Sequence, residues 1–362
     1  MFMKEKAGTE GKGRKKQKMM KKVTVAVVSC LSVIGLILLG TYIYYQNHVN
    51  QIIGQPRDDT VYKRHYLFIS SDTSDIWQDV FRAASEAAGE SGAYLEWCGQ
   101  ETSARYSDEE GIEIGVAEKV DGILLYESTE KDLKDAVSDA QSRGIPVVTL
   151  LRDIEDSPRI SYVGFSNYER GRLYGDQLVS LLHKGENKVC VLTDNGDSEG
   201  ELNLLYSQMT QAVKEKGADG STISLSAVLA DSGEDFDAEE TIRNLLMGDS
   251  VPDILICETS VQTDCAIQTI IDNNLVDRVQ VIGYYTADMT LSAIQRELIP
   301  AALTIDTDSL GHSAVAALNE YLDTGHVSDY YNISLQTVNA KNVYQYLRMK
   351  NLSKDRSGGE DG

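Results

Sequence analysis

Eight side chains in this sequence have types that could hold a small molecule: Asp72, Trp77, Arg152, Asn167, Phe236, Thr259, Tyr285 and Asp306. Aromatic faces such as Trp77, Phe236 and Tyr285 stack on flat apolar surfaces. A guanidinium, Arg152, offers a fork of donors to a hydroxyl or carboxylate. Asp72, Asn167, Thr259 and Asp306 add acceptors and donors. Most have a plainer reading as well. Trp77 can pack a helix onto a sheet, Arg152 can pair with Asp153 or Glu155 at the surface, and Phe236 can be buried. Asn167 can cap the helix beginning at Tyr168, and Asp306 can serve as a hinge residue beside an Asp308 cap.

Catalytic patterns are missing. The stretch Gly164-Phe165-Ser166-Asn167-Tyr168 fails the nucleophile-elbow pattern at its last position, and there is no H-E-x-x-H and no phosphate-binding glycine loop. The five histidines are scattered. The five cysteines form no CxxC, and Cys190 and Cys257 lie in apolar runs as small buried hydrophobes. The acidic run around Asp231 to Glu240 lacks the spacing and central glycine of a calcium loop and reads as a solvated loop with a helix cap. A binding protein is expected, with no enzymatic activity, no cofactor and no metal.

Residues this far apart in the chain need a fold to bring them together. From Arg64 onward short apolar runs alternate with amphipathic stretches, the pattern of parallel sheets covered by helices on both faces. The strands are expected at His65 to Ser70, Ala93 to Trp97, Val120 to Tyr126 and Ile145 to Leu150. A second series runs through Lys188 to Thr193, Ser221 to Leu229, Asp253 to Cys257 and Val279 to Tyr284, with a late strand at Asn332 to Thr337. Two such series predict an α/β protein of two Rossmann-like lobes joined by a multi-strand hinge. Lobe one is placed at about 64–164 and 307–328, and lobe two at about 165–306 and 329–349. The crossovers are placed near Val163 to Ser166, Ile305 to Thr307 and His326 to Asp329. In open parallel sheets ligands sit beyond the carboxyl ends of the strands. That rule selects Ser71 to Ile76, Tyr126 to Ser128, Leu151 to Asp153, Asp194 to Ser198, Glu258 to Ser260 and Tyr285 to Ala287.

The order of short segments resembles the type I periplasmic-binding-protein family, in particular its ribose-binding-like branch and the sugar-binding domain of lactose-repressor-type regulators. The likeness spans about residues 64–345. Ser70-Ser71-Asp72-Thr73-Ser74-Asp75-Ile76-Trp77 resembles the first-strand loop whose aromatics hold a ligand. Val120-Asp121-Gly122-Ile123-Leu124-Leu125 and Gly144-Ile145-Pro146-Val147-Val148-Thr149 resemble the third and fourth strands, with Arg152 at the family's ligand-binding arginine. Val163-Gly164-Phe165-Ser166-Asn167-Tyr168 resembles the crossing to the second lobe. Asp235-Phe236-Asp237 matches a motif whose aromatic stacks on a sugar, and Val281-Ile282-Gly283-Tyr284 matches a strand that normally runs into an aspartate. The resemblance implies lobes that close on a small polar solute, sugar or sugar-like. The sequence also departs from the family: Leu151 and Tyr285 stand where aspartates are expected, Thr259-Ser260 replaces Asn-Asp, and an arginine near Asn203 is missing. These changes point away from a simple aldose, toward a different or more apolar ligand, or none.

Charge and hydropathy place the domain. The 362 residues carry a formal net charge of −22, yet residues 1–22 hold nine Lys or Arg against two Glu. The acidic remainder repels nucleic acid, which is not expected as a partner. From Val23 to Tyr45 run 23 residues without a charge, and at about 1.5 Å per residue they cross a hydrocarbon core of roughly 30 Å. The expected order is a basic cytoplasmic head (1–22), one transmembrane helix (23–45), a stalk (46–63), the two-lobed domain (64–349) and a disordered tail (350–362). The basic head stays inside, so the domain lies outside the cell membrane. The uncharged run continues past Cys30, which favours an uncleaved anchor over a lipoprotein signal at Val27-Val28-Ser29-Cys30. A sensor kinase or a transporter permease is the expected membrane partner.

Overall fold

The computed structural model describes residues 62–99, 106–126, 133–194, 199–217, 220–231 and 237–357. The head, the span and the stalk up to residue 61 lie outside the described residues, as does Phe236. Among the described residues no helix is long and apolar enough to cross a membrane.

Two six-stranded sheets form the core. The first contains β1 (Arg64–Ile69), β2 (Ala93–Trp97), β3 (Gly122–Leu125), β4 (Val147–Leu150), β5 (Ser161–Gly164) and β11 (Tyr330–Asn332), in the order β11-β5-β4-β3-β1-β2. The second contains β6 (Gly185–Thr193), β7 (Ser221–Leu229), β8 (Ile254–Cys257), β9 (Gln280–Tyr284), β10 (Ala301–Ile305) and β12 (Leu335–Asn339), in the order β12-β10-β9-β8-β6-β7. All pairings are parallel except β10 with β12, which is antiparallel. GILL in β3, VVTL in β4, ILIC in β8 and AALTI in β10 are buried at every position, as strands covered on both faces must be. The edge strand β7 has more exposed positions.

The covering helices show the matching period. In α1 (Asp75–Glu90) Ile76, Trp77, Val80, Ala83, Ala84 and Ala88 form one buried face. Ser107 and Glu110 close a capping box at the start of α2 (Asp108–Glu118), and Lys119 ends it in the left-handed region. The remaining helices of lobe one are α3 (Lys134–Ser142) and α9 (Thr307–Thr324). Lobe two carries α4 (Asn167–Leu181), α5 (Glu199–Lys216), α6 (Asp237–Met247), α7 (Ser260–Asp272), α8 (Asp288–Gln295) and α10 (Val343–Ser357). Helix α9 returns to lobe one and packs on α1 and β4. A Cβ on Gly311 would stand 2.6 Å from the Ala84 amide nitrogen and 2.8 Å from the Val80 carbonyl oxygen, so any larger residue would force the two helices apart.

The chain passes between lobes at residues 164–166, after β5, and at Asp306, after β10. The third crossover differs from expectation. Residues 329–332 belong to lobe one, because β11 pairs with β5 and the Tyr162 amide donates to the Asp329 carbonyl. Arg159 clamps the same segment, bonding Asp153 at 2.5 Å and Asp329 at 2.7 Å. The chain therefore crosses at residues 333–334, and the late strand begins at Leu335 instead of Asn332. Residues 350–357, placed in the expected disordered tail, belong to α10, which continues to Ser357; residues 358–362 lie outside the described residues.

Candidate functional site

A cleft between the lobes, about 650 Å3 with its mouth included, lies at the carboxyl ends of the strands, where open parallel sheets place ligands. Lobe one contributes Asp72 and Trp77 from the β1–α1 connection, Tyr126 after β3, and Leu151 and Arg152 after β4. Lobe two contributes Asn167 and Arg170 from α4, Asp194 after β6, Glu201 from α5, Tyr284 at the end of β9, and Glu258, Thr259 and Ser260 at the start of α7.

Asp72 is fixed from its own loop: its Oδ1 accepts from the Ser74 amide at 2.8 Å, and the Trp77 indole hydrogen-bonds the carboxylate. Burial pushes the Asp72 carboxyl up from the usual range, and these two bonds oppose the shift. Trp77 is only 2% exposed. Its ring lies 4.0 Å from that of Tyr126, centroid to centroid, and the Arg152 guanidinium stands 5.8 Å from the Tyr126 centroid. The partly exposed Tyr126 is thus the aromatic surface next to the cleft. Asp153, one of the surface partners considered for Arg152, is gripped by Arg159 through two bonds.

Across the cleft, Arg170 and Glu258 pair at 3.4 Å with side chains 12% and 5% exposed. Arg170 also lies 5.6 Å over the Phe165 ring. The Glu258 amide donates to Gln262 Oε1, and Gln262 Nε2 donates to the Thr193 and Ala230 carbonyls, which ties the ends of β6 and β7 to α7. One turn beyond Arg170, the buried Tyr174 donates to the Cys257 carbonyl at 2.9 Å. These bonds set the position of the carboxylate before any solute arrives.

Of the eight residues singled out, Asp72, Trp77, Arg152, Asn167 and Thr259 line this cleft. Asn167 donates to Glu201 at 2.8 Å, while the neighbouring Ser166 is the helix cap expected of Asn167. Thr259 caps α7 by accepting from the Gln262 amide. Two residues lie elsewhere. Asp306, and not Asp308, caps α9, accepting from the Ser309 amide and hydroxyl; it occupies the hinge, not the cleft. Tyr285 is buried, and its hydroxyl donates to Asp79 of α1, joining the lobes outside the lining residues. Both Leu151 and Tyr285 have positive φ, 56° and 65°, an unusual conformation for such side chains. Tyr284 lines the cleft and Tyr285, at this turn, does not. Phe236 lies outside the described residues.

The strand-end rule selected Tyr126, Asp194 and Glu258. Arg170, Glu201, Phe165 and Tyr284 were missed. Arg170 follows Asn167 by three residues on one helix, a spacing that puts both on one face and would have found it.

This arrangement of carboxylates, guanidiniums, an amide and hydroxyls beside aromatic rings has the donors and acceptors that can form bidentate hydrogen bonds with the hydroxyls of a polar solute. The sequence profile of the periplasmic binding protein domain family matches residues 66–326, so the chain belongs to that family of two-lobed solute-binding proteins. No curated protein matches it significantly. Among solved structures, the XylFII molecule superposes with a TM-score of 0.64 at 26% identity, over 76% of this chain and 98% of that one. XylFII in its complex with LytSN gives 0.63 at 27% identity, over 77% and 98%. GanP, a glucose-galactose binding protein from Geobacillus stearothermophilus, gives 0.66 at 23% identity over 77% and 98%, a likeness of fold alone.

Proposed function

We propose that the chain is a membrane-tethered extracytoplasmic receptor whose lobes close on a small polar solute, sugar or sugar-like, and report its presence to a sensor kinase. The observation that carries this reading is the cleft, to which each lobe brings an arginine, at least one carboxylate and an aromatic ring. A solute bridging Arg152 and Arg170 has partners on both lobes only when they are close. Binding therefore shifts the population toward the closed form by the difference in affinity between the two states. The sensing role is supported by the likeness to XylFII, which occurs in a complex with LytSN. The tether is supported by the uncharged run Val23 to Tyr45 and the basic residues before it.

The test is a calorimetric and thermal-shift screen of the full chain in detergent against pentoses, hexoses, polyols and amino sugars, with scattering measurements of lobe closure. A hit that closes the lobes and binds less tightly in Arg152→Ala supports the reading. Saturable binding unaffected by both Arg152→Ala and Arg170→Ala would move the solute elsewhere. Co-purification with a permease in place of a histidine kinase would make the chain the binding component of a transporter. Membrane-extracted protein starting at Cys30 with a lipid adduct would overturn the helical tether.

A further inference from the structure

His65, Glu96 and Glu118 come together at the outer edge of the first sheet, away from the cleft. His65 is the second residue of β1, Glu96 lies in the edge strand β2, and Glu118 is the last residue of α2. The cleft collects residues that follow strand ends; His65 sits at the opposite end of its strand. The ring nitrogen Nε2 of His65 is 3.0 Å from Glu96 Oε2. One donor atom from each of the three residues lies within 4.8 Å of the other two.

We propose that His65, Glu96 and Glu118 form a binding site for a divalent transition cation of the zinc type. Zinc bonds of about 2.0–2.2 Å in tetrahedral geometry place neighbouring donor atoms roughly 3.4 Å apart. The three atoms are therefore near their coordinating separation, and the exposed Glu118 has the freedom to close the remainder. The donor set selects the cation: an imidazole nitrogen suits zinc and its neighbours, whereas calcium and magnesium require oxygen alone. Two carboxylates drawn toward one imidazole carry excess negative charge, which a divalent cation neutralises.

Two surrounding features match a built site. The His65 ring stacks on Tyr94 at 5.6 Å and 28°, and the His65 amide donates to Asp121 at 2.7 Å, so strand and ring are both positioned. A bound ion would tie β1, β2 and α2 together. Sequence spacing does not betray the site, because its donors come from three separate elements.

The competing account is an ordinary, partly exposed His65–Glu96 ion pair, and one experiment separates them. The untagged full chain is stripped with a chelator and dialysed against zinc chloride, with bound metal measured by atomic absorption and melting followed in parallel. We expect about one zinc per chain, a higher melting temperature with zinc, and no displacement by excess magnesium or calcium. His65→Ala and Glu118→Gln should each weaken binding roughly tenfold or more, about 1.4 kcal/mol, and Glu118→Gln should leave the zinc-free melting curve unchanged. Substoichiometric uptake, or equal affinity in both variants, would overturn the proposal. Should His65→Ala fold poorly, Glu118→Gln alone decides, since its side chain is exposed.

Discussion

The ring of Tyr126 lies 4.0 Å from that of Trp77 and is inclined to it by 30°, so the indole is covered by a neighbour from its own lobe. Trp77 also contacts Phe68, at 6.1 Å between centroids. It belongs to the core as much as to the cleft wall. Replacing it with alanine should therefore unfold the domain more readily as well as weaken binding. The expected loss is about 3–5 kcal/mol, read from the midpoint of urea unfolding. Tyr126→Ala should cost far less stability and act chiefly on solute affinity.

Arg170 and Glu258 form a nearly buried pair. Removing one member of such a pair leaves a charge in a poorly solvated place, for which about 3–5 kcal/mol is typical. Arg170→Met should be destabilised by that order, and the double variant Arg170→Met/Glu258→Gln should recover a large part of the loss. A thermodynamic cycle from denaturant titrations measures the coupling.

Asp264 of α7 brings a pH dependence. Burial, with a further contribution from the charge of Asp75, pushes its carboxyl up to about 6, and its Oδ1 has no hydrogen-bond partner among the described residues. An unfolded aspartate titrates near 3.9, so between about pH 4 and 6 the folded chain holds the extra proton. This contribution to stability is full below pH 4 and lost as the pH rises through 6. Asp264→Asn should be more stable than the parent at pH 7 by on the order of 1–3 kcal/mol. The difference should shrink toward pH 4, as thermal melts across that range would reveal.

Gly311 lets α9 touch α1. Gly311→Ala must push its methyl against the Ala84 amide and the Val80 carbonyl, and backbone cannot yield as a flexible side chain does. Overpacking of this kind costs about 1–3 kcal/mol. Helix propensity alone favours alanine by up to about 1 kcal/mol, so a net loss in urea unfolding would show that the contact dominates.

The lobes themselves were legible in the amino-acid order, because side-chain period is a local property. VVTL and ILIC are apolar throughout since both faces of their sheets are covered, and Ser221 to Leu229 was delimited to the residue. Cys190 and Cys257 lie buried in strands, as their apolar surroundings implied. The strand-end rule likewise led to Tyr126, Arg152 and Glu258, because parallel topology fixes which end of each strand meets the cleft. Tertiary structure decided the rest. Whether residues 329–332 joined the first or second sheet depended on the free edge of β5 and on Arg159, both distant in sequence. Tyr285 and Tyr284 are adjacent and chemically alike, yet a positive φ at Tyr285 sends it to Asp79 while Tyr284 faces the cleft. Local pattern specifies that a strand ends there. Which of two neighbouring side chains points into the gap is settled by backbone turns and by the opposite lobe, and these exist only once the chain has folded.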